Sequence, residues 1–164
     1  MRDRLKNKVY IAYGSNLNLE QMKYRCPDSK VLGTAMLRDY ELEFRGVATI
    51  VPKKGASVPV LLWEISPQDE KSLDCYEGFP HLYRKEEYET ELNGQKITGI
   101  AYIMNRGQIS APNIGYLNTI LQGYRENYLD VQFLDTAVNS ALTAERLAET
   151  EEAEEISGFQ MKLT

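Results

Sequence analysis

A glutamate in front of a glycine and a short polar loop are the features of this sequence that could support chemistry. Glu77 directly precedes Gly78, and the helical pattern that begins near Pro67 is expected to end at that glycine. The C-terminal end of a helix is its negative pole and disfavours a carboxylate. This position and partial burial would both raise the pKa of Glu77, which suits proton transfer near neutral pH. An exposed glutamate with no chemical role is the alternative interpretation.

The polar loop consists of Tyr13, Gly14, Ser15, Asn16 and Leu17, directly after a short apolar run. Gly14 allows the backbone to turn, and the small side chains of Ser15 and Asn16 leave amide N–H groups accessible. Backbone N–H groups in such a loop can bind a carboxylate. An ordinary turn at the end of a strand is the alternative for this segment.

Several other chemistries lack their usual residues. The chain has one histidine, His81, and two cysteines, Cys26 and Cys75, and their spacing does not match a zinc site. We therefore expect no metal and no cofactor. His81 has no recognisable nucleophile and orienting acid, so a catalytic triad is not indicated. The loop also lacks the second glycine and the lysine of a phosphate-binding loop.

Composition restricts the partners and the compartment. The formal net charge of -5 disfavours nucleic acid, whose binding depends on lysine and arginine. No apolar run approaches the roughly 18 residues of a membrane-spanning helix, so we expect no membrane segment. The charged N-terminus is followed by too short an apolar run for a signal peptide. We therefore expect a cytoplasmic protein with reduced cysteines.

The length of 164 residues predicts one domain over 1–164, with a core at about 8–144. Six glutamates between 145 and 155 make the stretch at about 145–164 an acidic C-terminal tail or solvated helix end. Two amphipathic helices are predicted before it, because apolar residues recur at helical spacing over 116–128 and 133–142.

The rest of the chain alternates between strand and helix patterns. We predict a strand at 9–12, a short helix from 19 to about 26, and at least three strands between 31 and 65. Ser66 and Asp69 predict the capped start of a helix that ends at Gly78. Asn93 and Gly94 fit a two-residue turn and predict a hairpin over 83–104.

In this order the motifs resemble the γ-glutamylcyclotransferase family, also called AIG2-like. Its members carry a Y-G-S-N-L loop after the first strand, here 13–17, and a catalytic glutamate before a glycine, here Glu77. A tyrosine follows shortly, here Tyr83. The resemblance covers about residues 8–135, and the short loop at 79–82 resembles bacterial members. It implies an α+β fold, a small mixed β-barrel with peripheral helices.

The resemblance also implies an activity and a site. The substrate would be a small γ-glutamyl compound whose own α-amino group closes a ring to 5-oxoproline and expels the attached amine. Glu77 would be first the general base and then the general acid. The substrate-binding residues implied by the match are Tyr13, Gly14, Ser15, Asn16, Leu17, Tyr83, Tyr102 and Tyr116.

Two interpretations compete with this one. The first is a sister activity on γ-glutamylamines or on a γ-glutamylated biosynthetic intermediate, which differs only in the leaving amine. The second is a non-catalytic small-molecule binding module on the same fold, although binding alone would not require an acid at position 77. A homodimer is compatible with the sequence.

Overall fold

The computed structural model describes residues 6–163, so most of the charged N-terminal segment for which we predict no export signal lies outside it. Within those residues the chain forms five strands, four helices and one 3-10 turn. The elements are β1 (Lys8–Ala12), the 3-10 turn (Ser15–Leu17), α1 (Leu19–Arg25), β2 (Lys30–Arg45), β3 (Val47–Ile65), α2 (Pro67–Glu77), β4 (Tyr83–Leu92), β5 (Gln95–Met104), α3 (Ile114–Glu126) and α4 (Val131–Leu163).

The five strands form one mixed sheet in the order β2-β3-β1-β5-β4. β1 is central: it pairs antiparallel with β3 and parallel with β5. The sheet curves so that its two edge strands meet, because Thr90 Oγ1 in β4 donates to the carbonyl of Met36 in β2 at 3.1 Å. The rings of Tyr40 and Tyr88 also pack edge to face with centroids 5.0 Å apart. This arrangement confirms the predicted α+β class.

The segment between 31 and 65 corrects one prediction. It forms two long strands instead of at least three, because β3 continues through the polar stretch at 53–56. The register jumps there, since Arg38 pairs with Ser57 but Tyr40 pairs with Pro52. Asp39 adopts a φ of 68° and accepts a hydrogen bond from Gly55 N–H at 3.0 Å. The polar stretch therefore forms a bulge in a continuous strand.

Local signals placed α2 and the hairpin correctly. Ser66 Oγ accepts from Asp69 N–H and Asp69 accepts from Ser66 N–H, both at 3.1 Å, which completes the predicted capping box. α2 ends at Gly78, whose φ of 63° is the left-handed conformation of a helix cap. In the hairpin turn, Asn93 and Gly94 have φ values of 52° and 81°. Both predictions are confirmed.

α3 fixes the loop that follows β1. A Cβ atom at Gly123 would lie 2.7 Å from the backbone of Leu17, so the helix can approach the 3-10 turn this closely only with glycine there. Asn127 Nδ2 donates to the Leu17 carbonyl at 2.7 Å, and Asn18 Nδ2 donates to the Thr119 carbonyl at 3.1 Å. These contacts hold the loop between the sheet and α3.

α4 packs on the sheet only through its first part. Leu134, Ala137 and Ala141 are buried, whereas the residues from 146 to 162 are exposed. The acidic segment that we expected as a tail or solvated helix end therefore continues the helix outward. Among residues 6–163, no helix combines the length and apolarity that a membrane span requires.

Candidate active site

A cavity of about 190 Å³ lies where the loop after β1, the end of α2, β4, β5 and α3 meet. Its walls are mostly aromatic. The lining residues are Tyr10, Tyr13, Gly14, Ser15, Asn16, Val47, Ala48, Tyr76, Glu77, Leu82, Tyr83, Tyr102 and Tyr116. Pockets for drug-sized ligands usually measure about 300–1,000 Å³, so this cavity suits a smaller ligand.

Glu77 is the last residue of α2 and the one carboxylate in this wall. It is partly buried, and across residues 6–163 no hydrogen bond or ion pair involves its side chain. Burial raises the pKa of Glu77 to about 7, although the positive charge of Arg25 acts in the opposite direction. Near neutral pH this carboxyl group can therefore both accept and donate a proton.

The loop from Gly14 to Leu17 closes as a single 3-10 turn. Leu17 N–H donates to the Gly14 carbonyl at 3.0 Å, and Asn18 N–H donates to the Ser15 carbonyl at 3.1 Å. Gly14 leaves space beside the sheet, because a Cβ there would lie 3.3 Å from the Ala48 Cβ. The amide groups that begin such a turn have no partner within it. The loop can therefore offer N–H donors to an anion in the cavity.

Asn16 is held on three sides. Its Oδ1 accepts a hydrogen bond from Arg25, and its Nδ2 donates to the Tyr10 hydroxyl at 2.9 Å. Its carbonyl accepts from Trp63 Nε1 at 3.1 Å, and the residue is only 2% exposed. The side chain of Asn16 is thus used mainly to fix the loop.

Leu17 differs from the other loop residues. It is completely buried against α3, and its side chain is not part of the cavity wall. The resemblance implies that Leu17 belongs to the substrate-binding residues. Its position behind the loop gives it a packing role instead.

The four tyrosines implied by the resemblance all line the cavity: Tyr13 in the loop, and Tyr83, Tyr102 and Tyr116 outside it. Tyr83 donates to the Ala48 carbonyl at 2.7 Å, and Tyr116 accepts from Ala48 N–H at 3.0 Å. Tyr102 donates to Asp74 Oδ1 at 2.6 Å. Burial raises the pKa of each of these phenols, so they stay neutral at physiological pH. Their hydroxyl groups are used to fix the wall, and none of these three has a hydrogen bond to Glu77.

A network of ion pairs attaches α2, which carries Glu77, to the neighbouring strands. Lys85 of β4 lies 2.8 Å from Glu70 and 3.0 Å from Asp74, both on α2, and Lys8 of β1 lies 3.0 Å from Glu70. Asp74 in turn accepts the hydrogen bond from Tyr102. α2 is thereby fastened to β1, β4 and β5, which fixes the position of its C-terminal end.

Sequence analysis missed Arg25, Tyr76 and Tyr10. Tyr76 Oη shares a hydrogen bond of 3.2 Å with Ser15 Oγ, and the Arg25 guanidinium carbon lies 3.4 Å from the Tyr76 ring centroid. Tyr76 directly precedes Glu77, which is the only sequence signal that could have marked it. Arg25 could not be found in this way, because its contacts join separate helices.

No group of three or more His, Cys, Asp and Glu side chains within residues 6–163 is arranged to share a metal ion. Cys26 is a buried free thiol and Cys75 an exposed one. Burial raises the pKa of Cys26 to about 12, so this thiol is unreactive.

Comparison with known proteins agrees with this geometry. The family model described as gamma-glutamyl cyclotransferase, AIG2-like, matches residues 10–123. The human protein named gamma-glutamylcyclotransferase is 30% identical over 139 residues, which cover 76% of this chain and 74% of that protein. The mouse protein of the same name matches to the same extent.

Solved structures give the same result. A gamma-glutamyl cyclotransferase superposes with a TM-score of 0.73 at 27% identity, covering 80% of this chain and 86% of that one. YkqA from Bacillus subtilis shares the fold, with a TM-score of 0.70 at 22% identity over 82% of this chain and 55% of its own. Since the family model spans the loop, Glu77 and most of α3, this chain belongs to the gamma-glutamyl cyclotransferase, AIG2-like family and is an enzyme of that type.

Proposed function

We propose that this protein converts γ-glutamyl compounds to 5-oxoproline and releases the attached amine or amino acid, with Glu77 as the acid–base group. One observation carries the proposal: a partly buried carboxylate that makes no hydrogen bond or ion pair with the described residues lines a small cavity, beside a loop whose backbone N–H groups can serve as donors. The names of the human and mouse relatives support the same reaction class.

The reaction needs no nucleophile from the protein. The substrate's α-ammonium gives a proton to Glu77, and the resulting amine attacks the γ-carbonyl carbon to form the ring C–N bond. The bond from that carbon to the leaving nitrogen then breaks, and Glu77 returns its proton to that nitrogen. A second proton passes from the ring nitrogen to the departing amine, which leaves as an ammonium ion. No water or other co-reactant is consumed.

Anchoring of the substrate should provide much of the rate. The reacting groups belong to one molecule, so a bound conformation that holds them close removes most of the entropic barrier. In our proposal the backbone N–H groups of Gly14, Ser15 and Asn16, with the Ser15 hydroxyl, hold the α-carboxylate. Tyr13, Tyr83, Tyr102 and Tyr116 form the walls that fold the substrate toward Glu77.

The decisive experiment is incubation of the purified protein with γ-glutamyl amino acids, peptides and amines, followed by detection of 5-oxoproline by mass spectrometry. We expect turnover of at least one class, and its identity names the leaving amine. A substrate whose α-carboxylate is amidated should react much more slowly. If no compound yields 5-oxoproline although one of them binds, the protein is a binding module and the proposal fails.

The same assay tests the expectation of a metal-independent reaction. Protein treated with a chelator and then dialysed should keep its parental rate, because Glu77 and the loop provide every group that the proposed reaction uses. Loss of activity that a single divalent cation restores would overturn this part of the proposal.

A further inference from the structure

Arg25 contacts both the loop after β1 and the end of α2 that carries Glu77, although it does not line the cavity. It is the last residue of α1. One nitrogen of its guanidinium donates to Asn16 Oδ1, and another donates to Gln21 Oε1 at 3.1 Å. Its guanidinium carbon lies over the ring of Tyr76, 3.4 Å from the centroid. A planar cation with several fixed donors can make such contacts together, whereas a lysine ammonium cannot.

These contacts, together with the backbone bond between Ser15 and Asn16, close a ring of four residues. Asn16 lies in the loop that we propose holds the α-carboxylate, and Tyr76 lies next to Glu77 at the end of α2. Arg25 joins these two residues on one side, and the hydrogen bond between Ser15 Oγ and Tyr76 Oη joins the same two segments on the other. Arg25 therefore bridges the loop and the end of α2 that carries Glu77.

Within the described part of the chain, Arg25 is also the cation that acts on Glu77. Among residues 6–163, the other titratable groups that line the cavity are tyrosines, which come from β1, the loop, α2, β4, β5 and α3. They are Tyr10, Tyr13, Tyr76, Tyr83, Tyr102 and Tyr116. Burial raises the pKa of the five apart from Tyr76, so these carry no charge near neutral pH.

We propose that Arg25 is a positioning residue that holds the loop and the Glu77 end of α2 in register and sets the charge environment of the base. This inference rests on the proposed function. Arg25 would contribute in two ways, through its planar hydrogen-bonding and stacking group and through its positive charge. Different variants can remove these two contributions separately.

The test compares Arg25→Met with Arg25→Lys, and Lys23→Met is the matched control that removes an exposed charge from the same helix. Arg25→Met should raise KM about tenfold or more, since a charge-assisted hydrogen bond to the loop is lost. Without the cation the pKa of Glu77 rises further, so the acidic limb of the kcat/KM profile should move to higher pH. Arg25→Lys keeps the positive charge, so the acidic limb should stay at its parental pH. Its KM should still rise, because the planar group is lost. Lys23→Met should leave both unchanged.

Tyr76 provides a second pair of variants, which keeps the test valid if Arg25→Met does not fold. Tyr76→Phe keeps the stacking surface and loses only the contact to Ser15, whereas Tyr76→Leu loses both. KM should therefore rise more in Tyr76→Leu than in Tyr76→Phe.

Two results would overturn the inference, and they differ from each other. If the parent makes 5-oxoproline but folded Arg25→Met, or Tyr76→Leu where Arg25→Met does not fold, keeps its KM and its pH profile, Arg25 is only a structural residue. A lower melting temperature with parental kinetics would have the same meaning. If the parent makes no 5-oxoproline from any substrate, the proposed function itself fails and the inference fails with it.

Discussion

Each end of α2 carries a carboxylate that is at least partly buried, but the helix pole and the hydrogen-bond partners differ between the two ends. Asp69, near the N-terminus, is 1% exposed and accepts hydrogen bonds from Ser66 N–H at 3.1 Å and Asp28 N–H at 3.4 Å. It also lies at the positive pole of the helix. Glu77 lies at the negative pole, and within the described part of the chain its carboxylate has no such partner.

This difference separates stability from chemistry within one helix. Asp69 accepts hydrogen bonds from two backbone N–H groups near the N-terminus of the helix, so that carboxylate stabilises the fold. The surroundings of Glu77 disfavour its charged form, which costs stability and leaves a proton that can move near neutral pH. Residues that break local rules in this way are common at functional sites. Changes at the two ends should therefore have opposite consequences.

The largest effect is expected for Glu77→Gln. Glutamine has the same size but cannot exchange a proton, so kcat should fall about 100-fold to 10,000-fold, equivalent to about 3–5 kcal/mol of barrier. KM should change little, as measured by steady-state kinetics of 5-oxoproline release. Glu87→Gln, at an exposed position of β4, is the matched control. Turnover by Glu77→Gln within a few-fold of the parent would remove Glu77 from the mechanism.

The second effect is a loss of folding stability as Glu77 becomes charged with rising pH. The pKa is about 7 in the folded protein and about 4.3 in an unfolded chain, so the folded state binds more protons between these values. The free energy of unfolding should therefore fall as pH rises from about 4.5 to 7, by at most about 3 kcal/mol. Glu77→Gln lacks this loss, so it should be more stable than the parent at pH 8.

Urea denaturation of the parent and of Glu77→Gln at pH 5 and pH 8 measures this effect. The difference between the two proteins isolates Glu77 from the other carboxylates, which titrate equally in both. The stability gained by the variant should be larger at pH 8. An equal gap at both pH values would mean that the pKa of Glu77 is not raised in the folded protein.

Asp69→Ala should show the reverse pattern. It removes the acceptor for Ser66 N–H and for Asp28 N–H in a buried position, so the free energy of unfolding should fall by about 1–3 kcal/mol. The kcat of the folded fraction should stay parental. Asp135→Ala, at an exposed site on α4, controls for the loss of a charge. A large fall in kcat with unchanged stability would show that this end of α2 also takes part in the reaction.

Neighbouring residues explain why α2 and the hairpin could be predicted. Ser66 and Asp69 are three positions apart and cap the same turn, and Asn93 and Gly94 adopt their positive φ values within one turn. The continuity of β3 could not be predicted, because the bulge near Gly55 depends on pairing with β2.

The same limit applies to the candidate site: a local motif can mark a segment, but contacts between separate elements cannot be read from it. The sequence singled out Glu77 and the loop as departures from ordinary local patterns, the family resemblance joined them into one candidate site, and both line the cavity. Arg25 acts through contacts with other elements, which no local pattern records. Leu17 belongs to the loop motif, but Gly123 of α3 decides that its side chain packs behind the loop. Motifs thus identify segments, and the packing of separate elements decides which side chains reach the cavity.

The smallest effect is an expected absence of coupling between the two ends. Asp69 and Glu77 are eight positions apart on a helix, or about 12 Å at 1.5 Å per residue, and they share no partner. Stability changes at that separation usually add within about 0.5 kcal/mol. The double variant Asp69→Ala with Glu77→Gln should therefore show the sum of the single changes in unfolding free energy and the kcat of Glu77→Gln alone.

Ser66→Ala combined with Asp69→Ala is the positive control, because both residues form one capping box and their changes should not add. Coupling above about 1 kcal/mol between Asp69 and Glu77 would mean that one end of α2 cannot be altered without the other, and the separation of stability from chemistry would fail.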